Sequence, residues 1–479
     1  MKNIKTTICL GVFLIANLAL ADVHYVPDDY TTIQAAINAS GDFDTIIVAP
    51  KKYSGSGNRN INFNGKAITV RSIDPSDPEV VSATVIDCNG MGRGFAFNTW
   101  EKADSILAGL TIINGYNVFG GAIYCSNNSS PSIINCVFST NSASLGGAIA
   151  CGNTNSSPKI TNCKVVANSA LVGGGGIYCN SASPIIRNCI ISGNFARNGG
   201  GMYSHNVGNP VVANSTIVGN AASDSAGGVF CYKSSDVTIN NCILWADTAM
   251  SASEVRVGNL GAATTIQISY SNIQGGYENV LCDSGCTVNW GQGNINIDPN
   301  FVEIGYLNES KIYFEGDYHL RKGSPCIDSG DPAFVAEPNE TDIDGNERIL
   351  GEKVDIGADE YVPPIPAIVQ LKPETLNLTG NNRQINCSIK ITGNYNIGDI
   401  DTATIALNGN IEPEWSTLTI DEEAQKLLVK FSIFGAQSIL NAPEGPLLLT
   451  ITGKLNDGKN FEGTDTVRIM RTRGKSGKK

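Results

Sequence analysis

Acidic and basic side chains are where chemistry would start, and in the middle of this 479-residue chain they are scarce. Across residues 115–247 the acids are Asp224, Asp236 and Asp247, and the bases are Lys159, Lys164, Arg187, Arg197 and Lys233. These eight charges fall at different registers, so they are expected to sit solvated on turns, and no catalytic constellation is read from them. The flanks carry more: Arg59, Arg71, Asp87, Arg93, Glu101 and Asp104 on one side, Glu254, Arg256, Glu278, Asp283, Glu303 and Glu315 on the other. Folding could gather some of these. With only His24, His205 and His319 in the chain, a metal site made of several histidines is excluded. His319 and Arg321 would share one strand face at i, i+2.

Asp342-Ile-Asp344-Gly-Asn346 places oxygen ligands at alternate positions, as calcium loops do. Its glycine stands at the fourth place instead of the sixth, and the long spacing to a ligating Glu is missing. Asp355, Asp359 and Glu360 follow and would be at hand to complete a site. A structural calcium at Asp342, Asp344 and Asn346 therefore competes with a plain Asx turn, which is the simpler reading. No other cofactor is expected.

Cysteine is the most informative residue type. Four pairs recur: Cys125 with Cys136, Cys151 with Cys163, Cys179 with Cys189, and Cys231 with Cys242. In the one remaining unit both positions are serine, Ser204 and Ser215, as if a bonded pair had been lost together. Disulfides within each unit are the expectation, and two independent interior stacks of small residues are the alternative. Cys282 and Cys286 (CDSGC) are expected to pair as well, leaving Cys88, Cys326 and Cys387 unassigned.

Those pairs belong to a repeat. Five units open on a glycine pair: GGAIYC at Gly120, GGAIAC at Gly146, GGGIYC at Gly174, GGGMYS at Gly199 and GGVFCY at Gly227. Each passes through a turn into a second segment (PSIINC, PKITNC, PIIRNC, PVVANS, VTINNC). In the first four a third segment closes on Asn141, Asn168, Asn194 or Asn220, which lie 27, 26 and 26 residues apart. Three short β segments per 26 residues cannot bury an apolar face alone. Stacked as coils about 4.8 Å apart they can, with the asparagines forming an amide ladder. The fold read from this is all-β: a right-handed parallel β-helix of roughly 11 coils. A hairpin-based propeller needs blades of about 40 residues and does not fit.

The alternation of GGAI-like and FxxN-like segments resembles the polymorphic outer-membrane protein repeats of chlamydiae and the wider pectin-lyase-like β-helix superfamily. YTTIQAAINASGDFDTIIVAP (Tyr30–Pro50) is similar to the cap that opens such helices, with Ile33, Ala36 and Ile37 plugging the core. SPCIDSGDP (Ser324–Pro332) and DIDGNERILGEKVDIGADEY (Asp342–Tyr361) resemble the closing segment of bacterial surface β-helix proteins with variable C-terminal anchors. The resemblance implies a fold over residues 25–361 and leaves function open. On such a scaffold a polysaccharide lyase would need acids that hold calcium against a uronate, plus an Arg or Lys base. A glycoside hydrolase would need two flanking carboxylates.

The ends set the compartment. Lys2 and Lys5 precede an apolar run, Ile8–Leu20, that ends in Ala-Leu-Ala at Ala21, the pattern of a secretory signal over residues 1–21. Secretion, or display on the cell envelope or outer-membrane surface, is expected, with no transmembrane segment in the mature chain. VPPIPAI (362–368) reads as a linker, 369–470 as a small immunoglobulin-like β-sandwich, and 471–479 as a basic tail. Charged residues make up only 16% and the net charge is −12, which argues against nucleic acid as a partner. Two functions remain: a non-catalytic rod that binds a polysaccharide or a surface protein, which is preferred, and a carbohydrate-active enzyme. They are separated by whether acids and a base meet on one face of the stacked coils.

Overall fold

A computed structural model describes residues 21–152, 155–308, 313–379, 384–434 and 436–471. The expected signal segment, save Ala21, and the expected basic tail, save Arg471, lie outside the described residues. The chain divides into two compact units, 1–361 and 362–479.

The first unit is a parallel β-helix. The strands of successive coils stack in register into three long sheets. The first sheet has eleven strands, running from Val23–Val26 through Ser132–Ile134, Lys159–Thr161 and Ile185–Arg187 to Thr287–Trp290. The second has nine, from Lys51–Tyr53 through Lys164–Val166 and Ile190–Ser192 to Asn272–Ile273. The third also has nine, from Ile61–Asn62 through Ile123–Cys125 and Ile177–Asn180 to Leu281–Cys282. Alternation decides which side chains turn inward. In the first sheet Ile133, Ile160, Ile186, Val212 and Ile239 pair in register and are fully buried. At the N-terminal end the short helix Ile33–Ala39 buries Ile33, Ala36 and Ile37 over the open core.

Two features depart from the sequence reading. A fourth sheet of six strands, Tyr116–Phe119 to Thr248–Ser251, fills what reads as turn. Its inward column is alanine (Ala143, Ala170, Ala196, Ala222), too small to produce an apolar period. The coils also stop earlier than expected, at residues 287–297, and the chain from 298 to 361 runs back along the outside.

The asparagine row is a continuous hydrogen-bonded ladder. Asn141 Nδ2 donates to Asn168 Oδ1 (3.1 Å), Asn168 to Asn194 (3.0 Å) and Asn194 to Asn220 (2.9 Å). Each Oδ1 also accepts a backbone N–H from the preceding coil. The row ends on Asp247, whose Oδ1 takes both the backbone and the side-chain N–H of Asn220 (2.6 and 3.0 Å). Glu254 packs beside it, and its Oε1 accepts the Asp247 backbone N–H. Asp247 Oδ2 and Glu254 Oε2 are buried without a hydrogen-bond partner, a deficit that one proton shared by the two carboxyls removes. Burial raises both acids, Asp247 to about 7.

The cysteines correct the disulfide expectation. Cys125, Cys136, Cys151, Cys163, Cys179, Cys189, Cys231, Cys242, Cys282 and Cys286 are all free thiols. They form two separate interior columns, one coil above another. Cys125, Cys151, Cys179, Ser204 and Cys231 are register partners within the third sheet. Cys136, Cys163, Cys189, Ser215 and Cys242 line the corner between the first and second sheets. There a sulfur accepts the N–H one coil back (Cys136 N to Cys163 Sγ, 3.4 Å) and faces its own corner's carbonyl (Cys163 Sγ to Thr161 O, 3.2 Å). Ser215 makes the same two contacts at 3.1 and 2.8 Å, so a hydroxyl serves as well as a thiol. The two serines are independent replacements in two columns.

The second unit, residues 362–479, is built around strand Ile365–Lys372. That strand starts parallel to Asn460–Met470 and continues antiparallel to Gln384–Ile391, so it belongs to two sheets. Ile385, Leu407, Phe431, Leu449 and Ile451 form the core between them.

Two outcomes follow. Without reductant, thiol titration of the native protein finds Cys282 and Cys286 reactive, and denaturant exposes the eleven buried thiols among residues 88–387. Titration of fewer thiols after unfolding would restore the disulfides. The second concerns Asp247. An acid raised on folding keeps its proton in the native state, so its contribution to stability falls as pH rises from about 4 through the folded value. Asp247→Asn preserves the acceptor for Asn220, so its melting temperature should match wild type at pH 5 and exceed it at pH 8.

Candidate functional site

Residues 298–361 return along the second sheet and cover its outward apolar residues. Ile190, Val218 and Ile243 pack under Phe301, Leu320, Ile356 and Ala358. The docking is also polar, and it uses an asparagine at the corner between the first and second sheets in three of the coils. Asn162 Nδ2 donates to Thr341 Oγ1 (2.8 Å) and to the Asp342 carbonyl (2.9 Å). Asn188 Nδ2 donates to Glu340 Oε1 (3.1 Å), and Asn241 Oδ1 accepts the Asp331 N–H (2.8 Å). All three corner residues have φ between +51° and +53°, which asparagine tolerates better than most residues. This row is the Asn of INC, TNC, RNC and NNC, which the sequence reading passed over. Its signal was the constant residue before each corner Cys.

Between the returning segment and the rod runs a groove of 890 Å³. Its floor is the outer face of the first sheet (Ser132, Lys159, Thr161, Arg187), and one wall is Pro75–Ser82. A cleft of 370 Å³ shares Lys164, Glu315 and Asp344 with the groove. It adds Asp317, His319 and Asp359.

His319 lies between two carboxylates: Nδ1 contacts Asp317 Oδ1, and Nε2 meets Asp344 Oδ2 at 2.7 Å. Those contacts, Asp344 foremost, push the imidazole up to about 10, so it is a cation at neutral pH. Burial alone would raise Asp344, but His319 and Lys164 outweigh it and hold the carboxylate below its usual range. Asp359, whose Oδ2 accepts the Leu320 N–H, is raised by burial to about 7. Burial raises Glu315 as well, with Lys164 pulling the other way. One ligand atom each from His319, Asp344 and Asp359 lies within 4.8 Å of the others, so one divalent cation could reach all three once it displaced the His319 proton held by Asp344.

This revises the calcium expectation. Asp342, Asp344 and Asn346 do not converge on a common point. Asp342 Oδ1 accepts the N–H groups of Asp344 and Asn346, and its Oδ2 accepts the Asn346 amide and the Glu360 N–H. That is an Asx turn with its lone pairs already used. Asp344 alone turns to the cleft, where it meets Asp359, one of the three acids expected to be at hand. The other two join a buried network: Glu360 pairs with Arg348 (3.1 Å) and accepts the Asp355 N–H (2.9 Å).

The scattered charges resolve similarly. Lys159, Lys164 and Arg187 reach the groove, against the expectation that they would stay apart. Arg197 pairs with Asp224 (3.4 Å), and Arg256 with Asp283 (2.7 Å). Of the twelve flanking charges only Glu315 reaches the cleft.

No family model matches the chain, and no curated protein matches it. Among solved structures it is similar to the crystal structure of pectate lyase Pel9A. The identity is 14% and the TM-score 0.40, over 72% of this chain and 98% of that one. Among the described residues no helix is long and apolar enough to cross a membrane.

If His319, Asp344 and Asp359 take a divalent cation, millimolar calcium or manganese should raise the melting temperature at pH 8, because a ligand of the native state stabilises it. Asp344→Asn should abolish that rise. An equal rise in the variant would show the cation binding elsewhere.

Proposed function

We propose that this chain is a carbohydrate-active β-helix acting on an acidic polysaccharide, which lies along the groove and is cleaved where the groove enters the His319 cleft. One observation carries the reading: Lys164 meets Glu315, Asp317, His319, Asp344 and Asp359 in a single cleft. Adhesion needs no such gathering. Cleavage needs acids and a base with shifted pKa values held together.

In this reading Lys159 draws the uronate carboxylates of the polymer onto the first sheet, beside Arg187 and its partner Glu337. A cation at His319, Asp344 and Asp359 would neutralise the uronate carboxylate and make its neighbouring C–H more acidic. Lys164 in its uncharged form is placed to take that proton, and Glu315, which burial raises, to return one to the leaving oxygen. Secretion belongs to the same proposal, since such polymers lie outside the cell.

Non-catalytic binding is the second reading, and one observation favours it. Asp317, His319, Asp344 and Asp359 all come from the returning segment, and an imidazolium fixed between two carboxylates can clasp that segment to itself.

Polygalacturonate and alginate, each with and without calcium, distinguish the two. Release of unsaturated uronate absorbing in the ultraviolet is expected. It should stop with chelator and fall about 100-fold or more in Lys164→Ala. Calcium-dependent retention on the polymer without cleavage would leave binding alone. Neither retention nor cleavage would overturn both readings.

A further inference from the structure

The turn between the third and first sheets at residues 98–102 presents an exposed tryptophan that the groove does not use. Trp100 is 68% exposed, and its backbone sits at φ +68°. A bulky residue in that region is strained, and such strain persists only where the surroundings enforce it. Here they do. Glu101, 1% exposed, accepts hydrogen bonds from Gly65 N, Thr99 N and Ser129 Oγ (3.1, 2.9 and 2.7 Å). Ser129 Oγ in turn accepts the Trp100 N–H at 3.0 Å. A buried carboxylate therefore pins the turn, and the pinned turn holds the indole in solvent.

Amides surround the ring. Two shallow depressions of 440 and 500 Å³ share Trp100 and Asn128. The first is completed by Lys102, Ser130 and Asn155 and the second by Asn98, Thr99 and Asn127; Lys102 Nζ donates to the Asn128 carbonyl at 3.2 Å. A flat apolar face fringed by amides, hydroxyls and one lysine already bonded to a backbone carbonyl matches a pyranose ring, which offers C–H groups on its face and hydroxyls at its edge. The fringe carries no ionised carboxylate, and Glu101 beneath it has its oxygens engaged.

We propose that Trp100 and its amide fringe form a stacking subsite for neutral, equatorially substituted pyranose units of the gluco or xylo type. The inference rests on this turn alone and not on cleavage in the groove.

Cellohexaose and xylohexaose, titrated against the full chain by calorimetry and tryptophan fluorescence, test it. Binding of at least one is expected, weakened about tenfold or more in Trp100→Gly and less in Trp100→Phe. Glycine adopts φ +68° without strain, so Trp100→Gly should melt no lower than wild type. A tryptophan kept for packing would give the opposite: a lower melting temperature with binding unchanged. That result, or no binding of either hexaose by wild type below about 10 mM, overturns the proposal. Lys164→Ala separates the two ideas, because it should remove cleavage and leave hexaose binding intact.

Discussion

A coil of this helix cannot satisfy its own polar groups, and that constraint shapes the rest of the structure. Each strand is about three residues long and finds its hydrogen-bond partners only in the coils above and below. The rule extends to buried side chains. The ladder asparagines each accept one coil's N–H and donate to the next coil's oxygen, so the row cannot simply stop. It needs a terminal group that accepts and has no further need to donate, and Asp247 is that group. The cost is a carboxylate in a dry interior, which Glu254 relieves only if a proton stays between them. The corner column follows the same logic, and this explains why sulfur and hydroxyl exchange freely there: both accept from one coil and contact the carbonyl of their own.

The same rule shows why the rod was legible in the sequence and its cover was not. Glycine pairs, inward Ile and Val, and asparagines at 26-residue spacing are local signals repeated coil after coil. The cysteine pattern was visible too, but co-occurrence in one coil was read as a bond when its cause lay in two columns running between coils. The alanine sheet escaped because its inward residues are small. The candidate site escaped for a different reason. Lys164 and His319 are 155 residues apart in sequence (319 minus 164) and meet only because the chain turns back after residue 297. No periodicity encodes that return. The Asn before each corner Cys was its only trace, and that residue resembles an ordinary turn former.

The cover and the rod divide the chemistry between them. The rod contributes the cations Lys159, Lys164 and Arg187, while the returning segment contributes Glu315, Asp317, Asp344 and Asp359. Arg187 meets Glu337 across the gap at 2.8 Å. Each partner alone would be an unremarkable surface. The pKa shifts arise at the seam, where the segment's own packing removes water from Asp359 and Glu315 while His319 and Lys164 oppose the effect.

The seam is also too firmly closed to act as a lid. Lifting residues 298–361 would expose Ile190, Val218 and Ile243 together with Phe301, Leu320 and Ile356. At about 1.5–3 kcal/mol for each apolar side chain returned to water, that exceeds what a lid motion on the microsecond to millisecond scale can draw on. It would also break the hydrogen bonds that Asn162, Asn188 and Asn241 of the rod make to the segment. The groove is therefore preformed, and an extended ligand must enter along its open length over the first sheet. Ser132 lines that face, two residues after Ser130 of the depression beside Trp100. The charged groove and the aromatic platform thus flank one continuous sheet surface, each held in place by groups buried beneath it.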